Sequence, residues 1–111
     1  MDFFVQPRTE GEWSVIEVQG EVDMFTAPKL RECLVTAADQ GQNQIVVDLS
    51  KVSFMDSTGL GTLVAGLKRV KENDGTLALV CSHRPVLRVL SITGLTNVFP
   101  IHETLDDVLG R

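Results

Sequence analysis

A single α/β domain, built on a mixed sheet of four to five strands with about four helices packed on it, is the fold class this sequence predicts. Three observations lead there. Short β-branched runs alternate with amphipathic helical stripes along the chain. A helical stripe separates successive strand runs after the first two, which requires crossover connections and so a parallel or mixed sheet. The length of 111 residues suits one domain spanning residues 1–111, and no linker, repeat or low-complexity tract divides it.

Phe3 to Pro7 is a short apolar start, and Trp13, Val15 and Val18 alternate with Ser14 and Glu17, so the two segments read as a β-hairpin turning through Arg8–Glu12. Gly20 and Asp23 break the pattern. Thr26-Ala27-Pro28 signals a helix start with a capping hydroxyl. Leu30, Cys33, Leu34, Ala37 and Ala38 follow at helical spacing, and Gly41 supplies the stop. Ile45-Val46-Val47-Asp48-Leu49 is a strand of the kind covered on both faces. The cycle then repeats. Leu60, Leu63, Val64, Leu67 and Val70 form one helical stripe, with Lys68, Arg69, Lys71 and Glu72 facing solvent. Asn73-Asp74-Gly75 turns the chain into a strand at Thr76–Val80. Pro85 opens a shorter helix that Gly94 ends. Val98-Phe99 is expected as a short edge strand closed by Pro100, and Thr104 caps a last turn on Leu105, Val108 and Leu109.

With 43% hydrophobic residues the chain can build a core without disulfides or metal. Cys33 and Cys81 belong to no CxxC pair and read as reduced core thiols. His83 and His102 are isolated and lack ligand spacing, so no metal and no cofactor is expected. Met1-Asp2-Phe3-Phe4 shows no leader pattern, and no stretch approaches the ~18 apolar residues that cross a bilayer. A cytoplasmic protein is the expectation, with no membrane partner. The net charge of −5 speaks against nucleic acid, whose phosphates need clustered Lys and Arg. A protein partner fits better.

Most of the chemical information sits in Ser53-Phe54-Met55-Asp56-Ser57-Thr58-Gly59-Leu60-Gly61, placed between a strand and a long helix. Asp56 or Ser57 can cap the helix by accepting free backbone N–H groups. Capping does not account for Gly59 and Gly61, each of which costs up to about 1 kcal/mol relative to Ala in a helix. Glycines there leave a hydroxyl open and let another surface come close.

The run Ile45–Leu49 followed by Val52–Gly61 closely resembles the core motif of the STAS family, and most of all its free-standing bacterial anti-sigma factor antagonists. Gly20-Glu21-Val22-Asp23 with Thr26-Ala27, and Ser91-Ile92-Thr93-Gly94-Leu95 before Phe99, resemble two further family segments in the same order. The resemblance implies a non-enzymatic partner switch. Its unmodified form would bind an anti-sigma factor that is also a Ser/Thr kinase and so free a sigma factor. Phosphorylation would release the kinase, and a PP2C-type phosphatase would reverse the step. It implies Ser57 as the phosphate acceptor, with Thr58 second. Asp23, Asp56, Ser57, Thr58, Gly59 and Gly61 are the expected partner-binding residues. Asp23 stays open between partner contact and local turn. Met24, Phe25, Phe54 and Met55 are read as packing first. The alternative is a STAS interaction module in a stressosome-like or transport-associated complex with no sigma factor downstream, and the chain is left as monomer or weak dimer.

Enzymatic readings fit less well. Met55-Asp56-Ser57-Thr58-Gly59 is not the G-x-S-x-G elbow of a serine hydrolase. It departs from the Asp-Ser/Thr-Gly register of aspartic proteases by one residue, and the helix after it contradicts their all-β fold. Gly59, Gly61 and Gly66 are not spaced as G-x-G-x-x-G, and no Gly-Lys-Ser/Thr follows, which excludes a Walker loop.

Overall fold

In the computed structural model, which describes residues 2–111, the chain forms one five-stranded mixed sheet in the order β1-β2-β3-β4-β5. Met1, part of the segment read as lacking a leader, lies outside the described residues. The elements are β1 (Phe4–Glu10), β2 (Trp13–Val22), α1 (Ala27–Asp39), β3 (Gln44–Met55), α2 (Ser57–Lys71), β4 (Thr76–Val80), α3 (Arg84–Ile92), β5 (Ile101–His102) and α4 (Leu105–Leu109). β1 and β2 are antiparallel, and every other pairing is parallel.

The hairpin is tighter than its polar stretch suggested. Glu10 pairs with Trp13, leaving Gly11 and Glu12 as the turn, and Gly11 takes φ 61° where a β-carbon would be strained. The helices begin and end close to their signals. Gly41 and Gly94 follow α1 and α3 with φ of 80° and 77°, and Thr104 Oγ1 accepts from Asp107 N at 3.1 Å.

One face of the sheet carries the main core. Ile16, Val18, Ile45, Val47, Leu49, Leu77 and Leu79 meet Leu30 and Leu34 of α1, Leu63 and Val70 of α2, and Val86 and Leu90 of α3. On the opposite face Val15, Val46, Ala78 and Val80 are covered by Trp13, Leu105 and Val108. This is why the β3 run is apolar at successive positions, as expected for a strand sealed on both sides. Burying each such aliphatic side chain contributes about 1.5–3 kcal/mol before entropy is counted. Helices α1 and α2 lie close because Gly66 has no side chain: a β-carbon there would sit 2.9 Å from Leu34 Cδ1. Arg69 spans the same pair, donating to both carboxylate oxygens of Asp39 at 2.8 and 3.1 Å.

Two expectations are corrected. Leu95–Asn97 forms a 3-10 turn and Phe99 is a buried plug, so Val98-Phe99 is not a strand. The edge strand is Ile101–His102, opened rather than closed by Pro100. Proline lacks an N–H, but the Pro100 carbonyl accepts from Leu79 N at 2.9 Å and starts the ladder. Strands β2 and β3 also run past the ends expected at Val18 and Leu49. β4 stops pairing at Asp48, while β2 and β3 continue together through Gly20↔Val52, Glu21↔Phe54 and Val22↔Met55. The shared tails form a two-stranded ribbon projecting from the sheet. Gly20 makes this fit, since its φ is 103° and a β-carbon would lie 3.2 Å from Asp2 O.

Candidate functional site

Both tails of the ribbon end at the same edge of the sheet, so Asp23 and Asp56 follow neighbouring paired residues, Val22 and Met55. The two loops are tied together where Asp56 N donates to Val22 O at 3.2 Å. Helix α2 begins at once. Asp56, in extended conformation, caps it: its Oδ1 accepts from Thr58 N at 2.9 Å and Gly59 N at 3.2 Å, and its carbonyl accepts from Leu60 N at 3.1 Å. Capping therefore belongs to Asp56, which leaves Ser57 as the first helical residue with no structural task.

Ser57 is exposed, and its hydroxyl makes no hydrogen bond among the described residues. Thr58 is also exposed, and its carbonyl accepts from Thr62 Oγ1 at 3.0 Å. Two hydroxyls at the positive end of a fifteen-residue helix are thus open to solvent.

The glycines separate sharply. A β-carbon on Gly61 would meet nothing within 4 Å, and the residue is exposed. Gly59, expected beside it as a partner contact, is buried: its β-carbon would lie 2.7 Å from Met55 Cγ and 2.8 Å from Val22 Cγ1. Gly59 seats the helix on the ribbon. With Gly66 one heptad later facing α1, the glycine cluster is largely explained by close packing, not by a phosphate loop.

Asp23 has a structural task. Its Oδ1 accepts from Phe25 N at 2.9 Å and Thr26 N at 3.1 Å, which holds the chain in a turn before α1. The Thr26 hydroxyl, expected to cap α1, makes no cap bond; it accepts from Asp23 N at 2.9 Å and donates to Glu21 O at 2.7 Å. That locked turn pushes two large apolar residues outward. Met24 is 64% and Phe25 81% exposed, and Phe54 on the uncovered face of the ribbon is 47% exposed. Of the four apolar residues expected to pack, Met24, Phe25, Phe54 and Met55, only Met55, at 2%, is in the core. A signal was present in the sequence. Asp23 and Thr26 both fix local turns, and the short segment between them cannot fold back to bury both side chains.

The edge therefore joins three exposed apolar side chains, the carboxylates of Glu21, Asp23 and Asp56, and two free hydroxyls. No group of three or more metal-ligating side chains occurs among the described residues. His83 lies at the start of α3 and His102 in β5, and neither is hydrogen-bonded to Ser57 or Asp56. Both cysteines are free, with burial raising each thiol pKa above its ordinary value; Glu32 adds to this at Cys33. No helix among the described residues is long and apolar enough to cross a membrane.

Comparison with known proteins agrees with this architecture. An anti-sigma-B factor antagonist from Staphylococcus epidermidis is 35% identical over 103 residues, which cover 93% of this chain and 95% of that protein. The anti-sigma-B factor antagonist of Staphylococcus aureus matches at the same identity and coverage. The crystal structure of an anti-sigma factor antagonist from Mycobacterium paratuberculosis superposes with a TM-score of 0.91 at 32% identity, covering 98% of this chain and 92% of that one. The Bacillus cell fate determinant SpoIIAA in its phosphorylated form shares the fold, with a TM-score of 0.75 at 24% identity over 99% of this chain and 98% of that one. The STAS domain model matches residues 5–108, from the first strand to the last helix, and the chain belongs to the STAS domain family.

Proposed function

We propose that this chain is a cytoplasmic anti-sigma factor antagonist that acts by binding rather than catalysis. In its unmodified form it docks an anti-sigma Ser/Thr kinase and frees the sigma factor; phosphate on Ser57 ends the docking, and a PP2C-type phosphatase restores it. One observation carries the reading: Ser57 is exposed and unbonded at the first position of α2, because Asp56 has taken over the capping. The names of the Staphylococcus relatives support the role.

The docking surface is the ribbon edge. Met24, Phe25 and Phe54 supply apolar anchors, and Ser57, Thr58 and Gly61 form the approach to the helix tip. Asp23 serves it indirectly, by holding the turn that displays Met24 and Phe25. Phosphorylation adds about −1.5 to −2 charges beside Asp56 and Asp23. The N-terminus of α2 tolerates that charge within the molecule, so the penalty falls on the interface, where about 1.4 kcal/mol already lowers affinity tenfold.

The test is incubation with ATP and an anti-sigma Ser/Thr kinase from the same genome, followed by mass spectrometry. Phosphate is expected on Ser57, Ser57→Ala should take up none while still binding the kinase, and Ser57→Asp should bind more weakly. Phosphate mapped to another residue of the wild-type chain would overturn the assignment.

A further inference from the structure

Helix α3 carries charge where helix physics opposes it. Arg84 is the first residue of the helix and Arg88 lies one turn on, and no acidic residue occupies the first turn. A cation at a helix N-terminus opposes the macrodipole, and like charges four residues apart repel. Neither arginine has a carboxylate within 4 Å among the described residues; Arg31 has none either, whereas Arg8, Arg69 and Arg111 do. One turn beyond Arg88 stands Ile92, 77% exposed. Arg84, Arg88 and Ile92, together with Leu87 and Ser91, line one shallow groove along the helix. Local rules broken on a surface without internal compensation mark a place selected for something other than folding.

We propose that this face of α3 is a docking surface for an acidic segment of a partner protein, with two carboxylates one turn apart meeting Arg84 and Arg88 and an apolar side chain covering Ile92. Neither Asp56, Ser57 nor Thr58 lines this groove, and the proposal does not depend on the phosphate-acceptor hydroxyl. Charge complementarity selects the occupant: the stripe is a local cationic strip on a chain whose net charge is −5. That overall charge repels an anionic bilayer, while a protein segment can engage the strip alone. Arginine forks suit carboxylates because they donate two parallel bonds.

The experiment uses the full chain, isotopically labelled, titrated with a short helical peptide presenting two glutamates one turn apart and a leucine one turn further. Amide shifts should concentrate at residues 84–92 and weaken with added salt. Arg84→Glu/Arg88→Glu should bind the peptide about tenfold or more weakly, and should bind the matching peptide with lysines in place of glutamates. Ile92→Ser should also weaken binding. The double variant should melt no lower than wild type, since it corrects the helix dipole. Shifts confined to other surfaces, peptide binding unchanged in the double variant, or shifts at α3 produced by phosphatidylglycerol vesicles and not by the peptide would each overturn the proposal.

Discussion

At the scale of single residues, the helix tip is organised by a division of labour that identity alone does not reveal. Asp56, Ser57 and Thr58 are all capping types, yet only Asp56 caps; the Ser57 hydroxyl is left free. The two glycines that follow are likewise unequal. Gly59→Ala forces a methyl against Val22 and Met55 and is expected to destabilise by about 1–3 kcal/mol. Gly61→Ala faces open space and should stabilise by about 0.5–1 kcal/mol, because it removes backbone freedom from the unfolded chain. Urea midpoints of the two variants check both signs. Because Gly61 belongs to the proposed docking approach, its alanine variant should combine higher stability with lower affinity for the proposed kinase partner. Nothing in the sequence distinguishes the two glycines, because which one faces the ribbon depends on how α2 is set on β2 and β3.

Among the elements, strands and helices with strong periodicity were legible and their ends were less so. α1, α2 and β4 follow from apolar spacing and from Pro28, Gly41 and the Asn73–Gly75 turn. The ribbon was not legible, since Gly20 and Asp23 look like breakers. Tertiary pairing overrides Gly20, while Asp23 does end the strand: β3 supplies a partner as far as Val22, and Gly20 has a positive φ and no β-carbon to meet Asp2. The last strand was misplaced for a similar reason, because Phe99 is drawn into the core while Pro100 offers its carbonyl to β4. The exposure of Met24, Phe25 and Phe54 follows from these same elements and was missed with them. Helix α2 depends on its cap. Asp56→Ala removes the acceptor for two backbone N–H groups and should cost about 1 kcal/mol of stability. Asp56→Asn, which keeps an acceptor oxygen, should cost less. Chemical denaturation of the pair separates loss of the cap from loss of charge.

For the whole molecule, the proposed switch works without refolding. The core lies beneath α1, α2 and α3 and continues under the ribbon through Val22, Val52 and Met55, while the proposed docking residues lie on exposed positions of its end. Phosphate at Ser57 would meet the exposed start of a helix whose positive end favours anions, so sheet and core have no reason to rearrange. The binding surface would change through charge and bulk alone. Calorimetric titration of the anti-sigma kinase with the bare protein and with the protein carrying phosphate on Ser57, each first shown to melt at a similar temperature, tests this most directly. The phosphorylated form should bind at least about tenfold more weakly; equal affinities for two equally folded forms would refute the charge mechanism.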